Sequence, residues 1–170
     1  MSSTPAATHT PDPTAGRPGT RALPDPRLVR LAMSLYPPLL CAGVRVTRIA
    51  DDWTCVEATH RVRPWNRNPN RSAFGGTLYA MTDPFFGIMA RGQLGSGYRV
   101  WTSSASIEFI APGRELMTAT MSLPFEEVAA IRATTDDGSK SITTHTTEIV
   151  SHSGVLVARA TQQLYVRRTN

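Results

Sequence analysis

The sequence predicts an α+β fold in which an antiparallel β-sheet covers one buried helix. Alternation of apolar and polar residues, the pattern of strands, occurs both before and after a single long apolar segment. That segment runs from Gly75 to Leu94, and its apolar residues recur at intervals of three, four and seven, as on a helix. The resulting order is β-α-β-β-β-β, with the apolar helix after the opening hairpin, which favours a sheet that encloses the helix.

The N-terminal region divides into a tail and the start of a domain. Residues 1–23 hold little besides Ser, Thr, Ala, Pro and Gly, so we expect a disordered N-terminal tail followed by a single domain over residues 24–170. A short helix is predicted from Pro24 to Tyr36, because leucines and an alanine there share one helical face. Pro37 and Pro38 are expected to stop it.

Period-two patterns locate the strands. A hairpin is predicted from Val44 to Val62, with its turn at Asp51-Asp52, and a loop follows from Pro64 to Ser72. After the helix, strands are expected over Tyr98–Ile110 and Glu115–Ser122. A short helix follows Pro124, and a last hairpin covers residues 140–151 and 155–167.

Composition narrows the functional classes. No stretch approaches the roughly 20 apolar residues of a membrane span, so a soluble, cytoplasmic protein is expected. The two cysteines, Cys41 and Cys55, should be reduced and buried, and the four scattered histidines predict no metal site. The net charge of +5 favours an anionic partner such as a nucleotide-tailed cofactor or an acidic carrier protein. Nucleic acid is not expected, because no recognition helix is evident.

Unusual residues gather around the start of the apolar helix. Gly75 and Gly76 would allow close approach to free backbone N–H groups there, which suits a carbonyl oxygen that becomes anionic; close packing of helix and sheet is the alternative explanation. Asp83 lies within the most apolar helix, directly before Pro84, whose ring should bend the helix. A carboxylate at such a bend resembles a site, although a salt bridge or a dimer contact would also explain it.

At these positions the sequence resembles the hotdog superfamily, over roughly Tyr36 to Arg168. The phenylacetyl-CoA thioesterase (PaaI-like) branch has Asn, His-Gly-Gly and Asp at similar spacings. Most similar is an uncharacterised, thioesterase-like branch whose motifs recur here as Tyr36-Pro37-Pro38, Trp65-Asn66-Arg67-Asn68, Phe74-Gly75-Gly76 and Met81-Thr82-Asp83-Pro84-Phe85-Phe86. The resemblance implies a curved antiparallel sheet wrapped around a long central helix.

The same resemblance implies roles for individual residues. Asp83 matches the acid that activates water or attacks the thioester, Asn68 the amide that positions the carbonyl or the water, and Gly75 and Gly76 the oxyanion N–H donors. Phe74 replaces a histidine of the better-known branch. The substrate-binding residues would be Phe74, Tyr79, Phe85 and Phe86 around the acyl group, with Arg67 and Arg71 near phosphates or an acidic carrier protein. Arg61 and Arg63, on the second strand and the start of the same loop, would suit the same anionic partners, and a solvated strand face is the alternative explanation.

The predicted function is therefore hydrolysis of an acyl thioester of coenzyme A or an acyl carrier protein. No cofactor is expected beyond the coenzyme A or phosphopantetheine that forms part of the substrate, and the resemblance implies a homodimer or homotetramer. Two alternatives remain: hydration, dehydration or addition on a carrier-bound acyl chain, and non-catalytic binding of an acyl ligand.

Overall fold

The computed structural model describes residues 24–169, which form one six-stranded antiparallel sheet with helices against it. The predicted tail, residues 1–23, lies outside the described residues. The elements are α1 (Pro26–Leu35), α2 (Pro37–Ala42), β1 (Val44–Ile49), β2 (Cys55–Arg61), α3 (Gly75–Ala80), α4 (Phe85–Leu94), β3 (Tyr98–Phe109), β4 (Leu116–Ser122), α5 (Phe125–Thr135), β5 (Lys140–Ser151) and β6 (Leu156–Arg168). The strand order is β1-β2-β4-β5-β6-β3. The predicted α+β class and its curved antiparallel sheet are confirmed.

The first hairpin shows why alternation located the strands. Val44 on β1 lies opposite His60 on β2, and Val46 lies opposite Ala58. All four side chains are buried, while the residues between them face outward. Because side chains on a strand point to alternate faces, one inward set fixes the register of the whole pair.

The central helical segment occupies the predicted range but is interrupted rather than only bent. Helix α3 ends at Ala80 and α4 begins at Phe85, with a turn over residues 81–84 between them. Pro84 has no N–H to continue the α3 ladder, and its ring would clash with the carbonyl of Ala80. Thr82 stabilises the turn by donating its hydroxyl hydrogen to the carbonyl of Tyr79 at 2.9 Å.

Helix α4 carries most of the core contact of this segment. Its buried side chains are Phe85, Phe86, Met89, Ala90 and Leu94. Burying each large apolar side chain contributes about 1.5–3 kcal/mol relative to leaving it exposed. The packing of α4 against the sheet therefore fixes where the turn at residues 81–84 lies.

The N-terminal helices differ from the expectation in two ways. The leucines predicted to share one face of α1, including Leu28 and Leu35, are exposed, and Val29 and Met33 on another face contact the core instead. The prolines that were predicted only to stop this helix also begin α2 at Pro37, because proline has the backbone angle of a first helical turn.

The structure also bears on the two cysteines and on the predicted absence of a membrane span. The cysteines are free as expected, but the prediction that they are buried is wrong, since Cys41 is exposed and Cys55 half-buried. Cys41 lies on the exposed side of the short helix α2, and Cys55 is the first residue of β2. Among residues 24–169, no helix has the length and apolar character needed to cross a bilayer.

Two histidines lie inside this core. Nδ1–H of His60 donates to the carbonyl of Gly43 at 3.0 Å, while Nε2 of the same ring has no partner among the described residues. His145 stacks on Phe86 with ring centroids 4.4 Å apart and lies 3.5 Å from Glu127. Burial lowers the pKa of both histidines below the ordinary value, and for His145 the Glu127 carboxylate partly opposes that effect.

Two glycines of α4 give a matched test of packing. A Cβ at Gly92 would lie 2.2 Å from the ring of Trp53, which is held in place by Gln93 donating to the Trp53 carbonyl at 3.0 Å. Gly92→Ala should therefore destabilise the protein by about 1–3 kcal/mol in urea unfolding. At Gly87 the nearest atom, on Val100, is 4.0 Å away, so Gly87→Ala should instead stabilise by about 0.5–1 kcal/mol. Equal effects of both changes would contradict this packing.

The buried histidines predict acid sensitivity. Their folded-state pKa values lie below the unfolded value of about 6.5, so between those values the unfolded chain binds more protons. The free energy of unfolding should fall as pH decreases through about 6.5 towards the folded-state values. Urea unfolding across this range should show a smaller fall for His60→Asn and an unchanged one for His152→Asn, at an exposed position. A pH dependence of His60→Asn identical to that of the wild type would exclude His60 as a cause.

Candidate functional site

Asn68 organises the loop that leads to α3. Its side-chain Oδ1 accepts hydrogen bonds from both the backbone N–H and the hydroxyl of Ser72, each at 3.1 Å. Its Nδ2 donates to the carbonyl of Ala73 at 3.2 Å, and its backbone carbonyl accepts from Arg71. These contacts use one of the two Nδ2 hydrogens. One N–H of the amide is therefore left to donate to a ligand.

The glycine pair begins α3 between two aromatic rings. A Cβ at Gly75 would lie 2.9 Å from the ring of Phe109, and one at Gly76 would lie 2.5 Å from the ring of Phe74. Close packing thus explains both glycines in part. Phe74 is the N-cap residue of α3 and makes no side-chain cap bond. In the described residues, the N–H groups of Gly75 and Gly76 have no acceptor.

A cavity of about 600 Å³ opens beside this turn, and we call it the glycine cavity. Its size is within the range of small-molecule sites, about 300–1,000 Å³. The structure brings four of the sequence-predicted residues together in its wall, namely Arg67, Asn68, Phe74 and Gly76. Gly75 faces a second cavity of about 420 Å³, which it shares with Asn68 and Phe109.

Asp83 lies at the interruption between α3 and α4 and is half-buried. Its Oδ1 accepts a hydrogen bond from the Tyr79 hydroxyl at 3.3 Å, and in residues 24–169 its Oδ2 has no donor. Burial raises the pKa of Tyr79, and the negative charge of Asp83 and their hydrogen bond raise it further. Tyr79 therefore remains a protonated donor near neutral pH, and Asp83 keeps one oxygen available for a water molecule or a substrate.

Asp83 lines neither the glycine cavity nor the second cavity, both of which Asn68 lines. Gly76 and Asp83 are seven positions apart in the sequence, which would correspond to about 10 Å along an uninterrupted helix. Of the predicted acyl-pocket residues, Phe85 and Phe86 are 0% and 2% exposed and belong to the hydrophobic core. Arg71 is exposed on the loop, and no carboxylate lies within 4.0 Å of it among the described residues.

Two polar contacts of Asp83 were not predicted from the sequence. Tyr79 was expected to line an acyl pocket, but its hydroxyl contacts Asp83; the i, i+4 spacing of the two residues was the available signal. Thr102 on β3 donates its hydroxyl hydrogen to the backbone carbonyl of Asp83 at 3.4 Å. Nineteen residues separate this pair, so nothing local in the sequence indicates it.

The fold is shared with solved structures of low sequence identity. A probable thioesterase of unknown function from Pseudomonas aeruginosa is 16% identical with a TM-score of 0.74, covering 88% of this chain and 99% of that one. The PaaI protein of the E. coli phenylacetic acid degradation operon is 20% identical with a TM-score of 0.58, covering 82% and 90%. AziG from S. sahachiroi is 25% identical with a TM-score of 0.60, covering 79% and 98%.

These likenesses show the hotdog fold. No curated protein gives a significant match. A family model described as a domain of unknown function, DUF4442, matches residues 26–166, which is most of the chain. The protein therefore belongs to the DUF4442 family and has the hotdog fold.

Proposed function

We propose that this protein hydrolyses acyl thioesters, with Asp83 as the base or the nucleophile. The observation that carries the proposal is the Asp83 carboxylate itself, held half-buried at a helix interruption with one oxygen free. Proteins of the same fold described as a thioesterase from Haemophilus influenzae and a probable thioesterase from Pseudomonas aeruginosa support it. A carboxylate positioned in this way is a common general base.

In the reaction, water attacks the thioester carbonyl carbon while Asp83 takes its proton. The carbonyl oxygen becomes anionic and accepts hydrogen bonds from the N–H groups of Gly75 and Gly76 and from the free amide hydrogen of Asn68. The carbon–sulfur bond then breaks, and the proton passes to the leaving sulfur, giving a carboxylic acid and a thiol. One such oxyanion donor is worth about 2.7–4 kcal/mol in other hydrolases.

We propose that a homodimer completes the active site, because the catalytic residues that lie apart in one chain would meet across the interface. The two edges of the sheet differ. At the β1 edge, the Ser34 hydroxyl of α1 bonds both backbone polar groups of Val46. At the other edge, the 12-residue strand β3 pairs only with β6 among the described strands. A long uncovered edge strand invites pairing with another chain.

The position of Asp83 connects this edge to the chemistry. Because Thr102 on β3 bonds the carbonyl of Asp83, the carboxylate lies beside the free edge. Association along β3 would place the partner's surface against Asp83, and we propose that the active site lies at that interface. A further pairing of dimers into a tetramer is compatible with this arrangement.

The proposed substrate contacts follow from the cavity wall. Phe74, which is 59% exposed, offers an apolar surface to the acyl chain beside Gly76. Tyr79 orients Asp83, and Phe85 and Phe86 support the site from the core beneath it. Arg67 in the wall of the glycine cavity and Arg71 on the loop that follows it are exposed and would attract the phosphates of the thiol carrier. The substrate supplies coenzyme A or phosphopantetheine, and a cytoplasmic location remains a prediction.

One observation favours non-catalytic acyl binding as a second candidate. Phe74 places an apolar ring where the better-known branch has histidine, and Asn68 already makes three side-chain hydrogen bonds. An acyl ligand would then occupy the glycine cavity without being cleaved.

Replacement of Asp83 tests the proposed chemistry. Asp83→Asn retains an oxygen that accepts from Tyr79 but removes the base, so kcat for acyl-CoA hydrolysis should fall by about 10²- to 10⁴-fold. The release of thiol from a panel of acyl-CoAs measures it. Asp51→Asn, which changes an exposed carboxylate of the first hairpin, should have no effect. Undiminished hydrolysis by Asp83→Asn across the panel would refute the assigned role.

The edge strand predicts the state of association. Sedimentation should show two chains per particle, and the double variant Ser104→Glu, Ser106→Glu on β3 should shift it to one, since like charges would oppose each other across the paired edges. Thr144→Glu with Thr146→Glu on β5, inside the sheet, is the matched control because these side chains are also exposed and lie opposite the uncharged Gln163 and Thr161. A dimer that resists the β3 variant would place the interface elsewhere.

A further inference from the structure

A third concave site lies on the outer face of the first hairpin, and we call it the arginine pocket. Its volume is about 430 Å³. The charged side chains in its wall are Arg45, Arg61 and Arg63, and the described residues that line it include no Asp or Glu. None of these arginines has a carboxylate within 4.0 Å among residues 24–169. Three guanidinium groups around one concavity form an anion site that the chain itself leaves unneutralised.

Strand register sets the positions of two of the arginines. Arg45 on β1 lies opposite Thr59 on β2, and Arg61 is two residues further along the same strand. The side chains of Arg45, Thr59 and Arg61 therefore all project from the outer face of the hairpin. Glu57 comes next on this face, but its Oε1 accepts from the Thr47 hydroxyl at 3.0 Å and does not pair with an arginine of the pocket.

Asn66 holds the third arginine in place. Its Oδ1 accepts from the backbone N–H of Arg63 at 2.7 Å, and its Nδ2 donates to the carbonyl of Arg61 at 3.1 Å. Gly43 allows this arrangement, because a Cβ there would lie 2.9 Å from Nδ2 and its φ of +74° is unfavourable for other residues. The backbone of the rim is thus fixed by specific bonds to Asn66, which position the points from which the Arg61 and Arg63 side chains extend.

An aromatic surface adjoins the charges. The Arg63 guanidinium lies 5.4 Å from the ring centroid of Trp65, and Trp65 is 76% exposed. A planar cation beside an exposed indole provides stacking surfaces for a heterocyclic base, while the other guanidinium groups suit phosphate oxygens. This combination matches a phosphorylated nucleotide better than it matches the acidic surface of a protein.

The arginine pocket also adjoins the glycine cavity. Trp65 and Asn66 contribute to the walls of both. A ligand with its nucleotide in the arginine pocket and its thioester in the glycine cavity would cross only the wall that Trp65 and Asn66 form. Coenzyme A has that form, since a flexible pantetheine arm joins its phosphorylated adenosine to the thiol.

We propose that the arginine pocket binds the adenosine 3′,5′-bisphosphate head of coenzyme A, so that acyl-CoA rather than an acyl carrier protein is the substrate. This inference rests on the proposed function for its thioester but adds a separate binding site. The phosphates contact Arg45 and Arg61, and the adenine stacks between Arg63 and Trp65.

Calorimetric titration of the full chain with adenosine 3′,5′-bisphosphate tests the site without any hydrolysis. Arg61→Ala and Arg63→Ala should each raise Kd by about tenfold, as expected for loss of a charge-assisted contact. Arg48→Ala is the matched control, because Arg48 is an exposed arginine of β1 outside the pocket wall. Trp65→Leu should weaken the nucleotide but leave the binding of inorganic phosphate unchanged.

The outcomes separate this inference from the proposed function. Asp83→Asn should bind the nucleotide as the wild type does. If the wild-type protein binds the nucleotide through these arginines but cleaves no thioester, the nucleotide site is supported and the proposed hydrolysis is refuted. No binding, binding unaffected by the arginine variants, or inorganic phosphate binding as tightly as the nucleotide would overturn the pocket. Cleavage of acyl carrier protein thioesters that exceeds cleavage of acyl-CoA would overturn the choice of substrate.

Discussion

The arrangement of the site depends on the interruption of the central helical segment at Pro84. Without an N–H at that position the ladder of α3 cannot continue, and the chain turns before α4 resumes. Packing of α4 in the core fixes one side of this turn, and the contact between Thr102 and the carbonyl of Asp83 fixes the other. Asp83 is therefore held half-buried beside the edge strand β3. In a continuous helix, its backbone would instead take part in the regular helical hydrogen bonds.

The two edge strands of the sheet, β1 and β3, have different surroundings, and this difference bears on the proposed active site. Helix α1 covers β1 through Ser34, whereas β3 has no neighbour on its outer side among the described strands. The carboxylate lies near the uncovered end and the glycine turn lies at the opposite end of α3. The separation of the two within one chain is what the proposed active site, shared by two subunits, would require.

The sequence alone predicted the parts of the structure that have a local period. The alternation in β1 and β2 and the apolar spacing of α4 located those elements, since strands and helices repeat over a few residues. The motifs around Asn68, Gly75 and Asp83 also gave the sequence its resemblance to the hotdog superfamily, and the structure has that fold. The face of α1 was not predictable in this way, because Leu28 and Leu35 have the spacing of a buried stripe while the core is contacted by Val29 and Met33.

Other features depend on contacts between distant segments and left no local signal. Thr102 contacts Asp83 across 19 residues, and Gly43 approaches Asn66 from the end of α2. The sequence indicated Arg61 and Arg63 as candidate phosphate contacts but not Arg45, because Arg45 and Arg61 become neighbours only through the register of β1 and β2. A basic composition indicated an anionic partner, but only the fold shows which arginines surround one concavity.

The products that the wild-type protein forms from saturated and unsaturated acyl-CoAs decide whether it hydrolyses the thioester. Mass spectrometry of both products, with a parallel assay of free thiol, distinguishes the possible reactions. Thioester hydrolysis should give free coenzyme A and the carboxylic acid in equal amounts. An intact thioester that has gained one water molecule would instead show hydration of the acyl chain, and an unchanged thioester bound to the protein would show an acyl-binding protein; either result would contradict thioester hydrolysis.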